Sequence, residues 1–272
     1  QTYKNFEIIF WDNCTDDNTE VILREFCKKN TKIKYFKSLK HELLYKARKK
    51  AIEVSKGEYF AFLDVDDWWS NDKLEKQIPL FFKQENIGIV CSNYWLVNER
   101  KNKKPKKVFS FIPEGNILNQ LLKKNFVGMS TLVFSKKAYN SLEHGFNETY
   151  EIIGDYDLVL RLTAKWNLAA VQEPCSFYRW HGDNLSIKKM DLNNKELLFW
   201  INTNKNNYKF KSQKNFQYLV SQTIFYQALI LILSNKRKKA LKLFSNIKIF
   251  RIKIKFILIL LIPKYLINII RS

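Results

Sequence analysis

The stretch Phe60-Ala61-Phe62-Leu63-Asp64-Val65-Asp66-Asp67-Trp68-Trp69 runs from four apolar residues into three carboxylates within four positions, then into two tryptophans. Its apolar start, Tyr59–Leu63, reads as a buried strand. Beyond Asp67 the chain reads as a helix start, with Asn71 or Asp72 as N-cap, Glu75 in the first turn, and Leu74 and Ile78 four apart. The acidic cluster is therefore expected in a turn between strand and helix. Three carboxylates this close repel one another, and a divalent cation relieves the repulsion most simply. Strand ends are also where open α/β sheets bind ligands. Spacing alone favours the plainer alternative, a solvated acidic turn that caps the next helix.

Outward from this turn, Phe6–Trp11, Lys32–Lys37, Ile87–Tyr94 and Thr131–Phe134 are further strand-like runs. Stretches with helical spacing, such as Val21–Cys27 and Leu43–Val54, separate them, which predicts a layered α/β domain. The charged segment Asn98–Val108, with its proline, reads as a surface loop. From Asp155, DYDLVLRLTAKW places Leu158, Val159, Leu162 and Trp166 on one helical face, with Asp155 in the first turn. A strand-like run and polar turn, CSFYRWHGDNLS, follow.

At 272 residues and 46% hydrophobic, the chain can bury a large core, with or without an appendage. It begins with Gln and enters a strand almost at once, so an upstream piece is expected, and no secretory signal stands at its start. Cys14, Cys27, Cys91 and Cys175 form no C-x-x-C pair and read as reduced core thiols of a cytosolic protein. From Ile187 onward there are 18 Lys/Arg against Asp191 and Glu196, which places +16 of the net +21 in the tail. That tail is rich in Lys, Asn, Ile and Leu, with a long helical stretch at Phe216–Ser234. Its longest unbroken apolar piece, Phe256–Pro263, is well short of the roughly 20 residues that span a bilayer. The tail is expected to lie on a membrane rather than cross it.

Four blocks in order, QTYKNFEIIFWDNCTDDNT, KARKKAIEVSKGEYFAFLDVDDWW, GDYDLVLRL and YRWHGDNLS, resemble glycosyltransferase family 2, the inverting nucleotide-sugar transferases of the GT-A fold. The resemblance covers residues 1 to about 187. It implies a mixed α/β sheet flanked by helices over 1–187, whose first family strand lies upstream, and leaves 188–272 as a basic, apolar, helical, membrane-associating extension.

The resemblance also implies roles. Asp64-Val65-Asp66 matches the family's D-x-D, so Asp66 is the expected ligand of Mn²⁺ or Mg²⁺ and Asp64 its nucleotide-side partner. Asp67 either supports the ligand or starts the helix, and Trp68 and Trp69 are expected to pack. Asp12 and Asn13 match the block that approaches base and ribose, an Asx turn being the alternative. Arg48 falls on the nucleotide side, although Lys49 stands where the family has asparagine and the usual preceding glycines are absent. Asp155 matches the second acid of the family's Glu-Asp pair, the base that takes the acceptor's proton, and Gly154 replaces the first acid. As plain helix chemistry, Asp155 is a first-turn carboxylate and Asp157 pairs with Arg161. His181 matches a histidine that reaches the metal or diphosphate, a structural role being its alternative. Gly145–Glu148 resembles the turn before the catalytic helix.

The implied activity is transfer from a nucleotide-sugar to a hydroxyl of a saccharide or lipid-linked glycan, in bacterial surface polysaccharide assembly. The implied location is peripheral, on the inner face of the cytoplasmic membrane. Two rivals stand beside it: a non-catalytic subunit of the same fold, and a nucleic-acid-binding protein suggested by the pI near 9.7. The cations are interleaved with aliphatic runs rather than exposed aromatics, which speaks against nucleic acid as a partner.

Overall fold

The alternating strand and helix patterns take shape, in the computed structural model of the chain, around one six-stranded mixed sheet. The structure describes residues 1–99, 104–181, 184 and 189–262. Part of the Asn98–Val108 loop, most of the polar turn after His181, the 187/188 boundary and the end of the terminal run lie outside the described residues. Two compact units are present, residues 1–117 with 126–184, and residues 118–125 with 185–272.

The first unit contains β1 (Ile8–Asp12), α1 (Thr19–Lys29), β2 (Ile33–Lys37), α2 (Leu44–Val54), β3 (Tyr59–Ala61), β4 (Trp68–Trp69), α3 (Lys73–Gln77), β5 (Ile87–Asn98) and β6 (Lys106–Lys107). After α4 (Leu118–Lys123), which belongs to the second unit, it resumes with β7 (Val133–Ser135), α5 (Lys136–Asn140), α6 (Gly154–Thr163) and β8 (Asn167–Trp180). β1 and β2 form a parallel pair, and the larger sheet has the order β3-β7-β5-β8-β4, with β6 paired to β5. β5 and β8 run parallel, and β3–β7, β5–β7 and β4–β8 are antiparallel. Their pairing is interrupted where Pro174 faces Asn93, since proline has no N–H for the ladder. The fully buried Asn93 amide serves the break instead: Nδ2 donates to Phe109 O at 2.6 Å, and Oδ1 accepts from Tyr94 N at 2.9 Å.

Three local expectations change. Trp68 and Trp69 are not only packing residues of a turn; they form a strand against Phe177 and Ser176. Within the charged loop, Lys106 and Lys107 pair with Leu96 and Trp95. The helix after the acidic turn stops at Gln77, and a 3₁₀ segment, Ile78–Phe82, takes over where Pro79 cannot donate.

Lys73 of α3 is wholly buried, its Nζ 4.1 Å from the Trp69 ring centre and donating to Gln77 Oε1 at 2.6 Å. Burial pushes this lysine down to about 7. An unfolded lysine titrates near ~10.4, so between these values the unfolded chain binds more protons and stability rises with pH. The melting temperature is expected to climb over that window, and Lys73→Met to remove the lysine's part of the climb, as read by thermal unfolding across pH.

The second unit consists of α4, α7 (Met190–Asn204), α8 (Tyr208–Lys211), α9 (Phe216–Leu233), α10 (Arg237–Leu241) and α11 (Phe250–Leu261). Phe225, Ala228 and Ile232 of α9 pack with Ala240, Ile247, Ile252 and Phe256 to form its core. Asn215 holds α4 to the start of α9 through both backbone and side chain of Asn119, at 2.8 and 2.9 Å.

Candidate active site

β1 delivers Asp12 to its C-terminal end, where the side chain is buried. Thr15 N donates to Asp12 Oδ1 at 2.8 Å, and Thr15 Oγ1 and Tyr35 OH donate to Oδ2 at 3.0 and 2.5 Å. Cys14 makes the turn possible with a left-handed φ of 68°. Burial pushes the carboxyl up, but the bonds from Tyr35 and Thr15 outweigh it and hold Asp12 below the ordinary range. Asn13 spans to the loop before α2: Nδ2 donates to Glu42 O at 2.8 Å, and Glu42 N donates back to Oδ1 at 3.1 Å. Asp12 thus anchors the turn after β1 through Thr15, and Asn13 ties that turn to the loop before α2. A cleft of about 390 Å³ opens at the ends of β1 and β2, lined by Trp11, Lys37, Ser38, Leu39, Lys40, Glu42 and Lys50. Trp11 Nε1 is buried without a hydrogen-bond partner among the described residues.

The three motif carboxylates avoid one another by facing different partners. Asp67 N donates to Asp64 O at 3.0 Å, closing a tight turn with Val65 exposed at its tip. Asp64 accepts from Arg48 Nη2 at 2.5 Å. Asp66 Oδ2 lies 3.2 Å from His181 Nε2. Asp67 turns inward and accepts from Arg179 N of β8 at 3.0 Å, and burial pushes its carboxyl up to about 6.

Arg48 is buried on α2 with its guanidinium 5.5 Å from the Tyr45 ring centre and 5.6 Å from that of Phe62. Burial opposes its charge, yet Asp64, Tyr45 and Asp155 together raise it above the ordinary arginine value. Asp155 is half-buried in the first turn of α6 and accepts from Tyr156 N at 2.7 Å. Tyr45 OH donates to Ile152 O at 2.7 Å and lies 3.3 Å from Asp155 Oδ1. Burial pushes the Asp155 carboxyl up; Arg48, the Tyr156 amide and Tyr45 pull it back, and Asp64 adds to the rise, leaving the net shift upward. A carboxylate raised in this way is a better proton acceptor near neutral pH. Asp157 pairs with Arg161 as helix spacing predicts, at 2.6 Å, and Arg161 also donates to His144 O and Gly145 O, holding the turn before α6.

Arg48 therefore joins Asp64 and Asp155 in one electrostatic cluster, with Asp66 and His181 paired on the other side of the motif turn. Asp12 and Asn13 stand at the C-terminal end of β1, with Asn13 joined to the loop that leads into α2. Both departures from the family pattern have structural reasons. Lys49 bonds Glu148 in the pre-helix turn at 2.5 Å. At Gly154 any Cβ would stand 2.4 Å from the Tyr45 ring, so the first acid's place is closed by that ring. Tyr45 and Tyr35 also belong to the site without a motif to mark them, as does Asn184, whose Oδ1 accepts from His181 N at 3.3 Å. For Tyr45 the signal was its place one helical turn before Arg48.

Comparison with known proteins covers the motif turn, Asp12, Asn13 and Arg48 by the family model, whose match ends before α6. The family model described as glycosyl transferase family 2 matches residues 1–142. The Escherichia coli protein named UDP-Glc:alpha-D-GlcNAc-diphosphoundecaprenol beta-1,3-glucosyltransferase WfgD is 31% identical over 192 residues, 70% of this chain and 71% of its own. An uncharacterized glycosyltransferase of Rickettsia conorii is 33% identical over 183 residues, which cover 67% of this chain and 29% of that protein. Among solved structures, the mannosyltransferase PcManGT from Pyrobaculum calidifontis, in complex with GDP-Man and Mn²⁺, matches with a TM-score of 0.54 and 13% identity, covering 88% of this chain and 65% of its own. The first unit has the GT-A fold, and the chain belongs to glycosyl transferase family 2.

Proposed function

We propose that the chain transfers a sugar from a nucleoside-diphosphate sugar to a hydroxyl of a lipid-linked saccharide, with inversion, at the inner face of the cytoplasmic membrane. The observation that carries this reading is the clustering of Arg48, Asp64 and an Asp155 carboxyl raised by burial. Asp155 takes the proton from the acceptor hydroxyl, and the freed oxygen forms a bond to the anomeric carbon. The bond from that carbon to the diphosphate breaks with its electrons on the departing nucleoside diphosphate, and the configuration inverts. Arg48 and Asp64 stand on the nucleotide side, and the base and ribose lie at the ends of β1 and β2 beside Asp12 and Asn13.

The donor set at the motif suits a divalent cation. Asp66 and His181 present a carboxylate and an imidazole 3.2 Å apart, both partly exposed. Among the described residues no group of three or more His, Cys, Asp or Glu could hold a metal. The other positions would fall to water and substrate phosphate, the ordinary arrangement for Mg²⁺ at phosphate sites. Asp66 and His181 would hold the ion and Asp67 would support the turn. When bound, Mn²⁺ or Mg²⁺ neutralises charge on the leaving diphosphate.

The relative WfgD is named for a UDP-Glc donor and a diphosphoundecaprenol-linked acceptor, which supports a UDP-sugar and a lipid-linked saccharide here. Calorimetric titration of UDP, then GDP, with and without Mn²⁺ tests the donor site. Metal-dependent binding that weakens at least about tenfold in Asp66→Ala is expected, about 1.4 kcal/mol. Absence of binding by both nucleotides with Mn²⁺ present, persisting when the expected upstream residues are restored, would overturn the reading in favour of a non-catalytic subunit of the same fold.

A further inference from the structure

α11 has two apolar faces, and the core of its unit uses only one. Ile252 and Phe256 are buried among residues of α9 and α10. Phe250, Ile254, Ile257, Leu258 and Leu261 are instead 43% to 75% exposed. Successive residues turn by about 100°, so these five fall in one stripe about 100° wide, opposite the buried pair. On the same wheel Arg251 and Lys255 flank the stripe on one side and Lys253 on the other. Residues 197–272 contain 15 Lys/Arg and no Asp or Glu.

We infer that this outer face of α11 is a docking surface for an anionic lipid bilayer. A contiguous exposed stripe of large apolar side chains marks a contact surface rather than an ordinary solvated one. Its occupant must accept apolar side chains and also balance a segment carrying cations alone. A second copy of the chain would set cations against cations, which opposes pairing. Nucleic acid would answer the charge but leave four aliphatic residues of the stripe unmatched, since aromatic faces are what stack on bases. A bilayer with anionic headgroups satisfies both: the stripe enters the boundary of the acyl region and the flanking cations meet the phosphates. At 12 residues α11 is about 18 Å long, so it lies in the interface plane and does not cross. Among the described residues only α9 is long and apolar enough to cross a membrane, and its Phe225, Ala228 and Ile232 belong to the core on which α11 rests. The inference rests on the reading above for why a membrane is approached; the contact itself needs no acceptor.

Co-sedimentation of the full chain with vesicles of phosphatidylcholine alone, or mixed with phosphatidylglycerol, tests it. Binding to the mixed vesicles is expected, weakening with added salt, and falling at least tenfold in the triple variant Ile257→Ser/Leu258→Ser/Leu261→Ser, with circular dichroism and the UDP titration unchanged. Arg251→Gln/Lys255→Gln is expected to lower binding to the mixed vesicles and leave the weak binding to neutral ones as it was. Equal binding by wild type and triple variant would overturn the inference. So would a wild-type dimer in light scattering that the triple variant abolishes, or salt-sensitive RNA binding tighter than vesicle binding. Failure of the donor reading appears in the titration alone, and failure of the docking surface in the vesicles alone.

Discussion

Asp155→Asn is expected to lower kcat by about 10²–10⁴, the usual worth of a positioned general base. Metal-dependent UDP affinity should stay within about twofold, because the amide keeps the shape of the side chain and α6 keeps its first turn. The same residue sets the acid side of the rate profile. Its ionised form is the active one and its carboxyl is raised above the ordinary aspartate value near ~3.9, so kcat/KM should fall at a higher pH than an exposed aspartate would give. Arg48 pulls the Asp155 carboxyl down, and Asp64 pushes it up. Arg48→Met removes the first influence and frees the second from its partner, so the acid limb should move to still higher pH. Near wild-type turnover in the asparagine variant, or a limb that moves down in Arg48→Met, would remove Asp155 from the role of base.

The second large effect concerns stability. Adding one carbon in Gly154→Ala is expected to destabilise the protein by about 2 kcal/mol, inside the 1–3 kcal/mol range for forced overpacking. One contribution opposes this: alanine loses less chain entropy than glycine, by at most about 1 kcal/mol at this first position of α6. The clash decides the sign, because the new Cβ would lie 2.4, 2.5 and 2.7 Å from three carbons of the Tyr45 ring. That ring cannot step aside easily: it is 2% exposed and stacks on Phe146 at 5.7 Å. Calorimetry should show a lowered melting temperature, and Tyr45→Ala combined with Gly154→Ala should cost less than the two single changes added together. Additive costs in that cycle would mean the ring does not confine Gly154. A further readout follows from the hydroxyl near Asp155: Tyr45→Phe keeps the ring and should raise the base's pKa, shifting the acid limb of the profile upward as Arg48→Met does.

What the sequence disclosed is what short-range chemistry dictates. Phe60 and its apolar neighbours against Asp64–Asp67 announced a strand ending in an acidic turn, and Leu158, Val159 and Leu162 announced α6. These signals depend on period and on neighbouring residues, which a single chain carries in plain view. Partners brought from far along the chain left no such mark. Nothing in Trp68-Trp69 indicates pairing with a strand more than a hundred residues on, and Lys106-Lys107 in a highly charged run looks like loop until β5 is beside it. The six residues of α4 do not say that they belong with helices beginning at Met190. The Gly154 departure was visible, but its reason required seeing the Tyr45 ring in place. For Asp12 and Asn13 the residue types allowed both a turn and a ligand contact, and the bonds from Thr15, Tyr35 and Glu42 that hold them come from the fold.

The contact between Asp67 and the backbone of Arg179 bears on when the site comes into being. The motif turn leaves β3 early in the chain, yet the strand that grips it, β8, and the histidine facing Asp66 come more than a hundred residues later. Closing so long a loop is slow compared with forming the helices between, and it gains nothing until β8 pairs with β5. A nascent chain emerging from the ribosome can already pair Asp64 with Arg48, but would carry Asp66 and Asp67 without their partners until β8 arrives. The face that carries Asp66 and Asp67 is thus among the last parts to assemble, after the residues that line the cleft at the ends of β1 and β2.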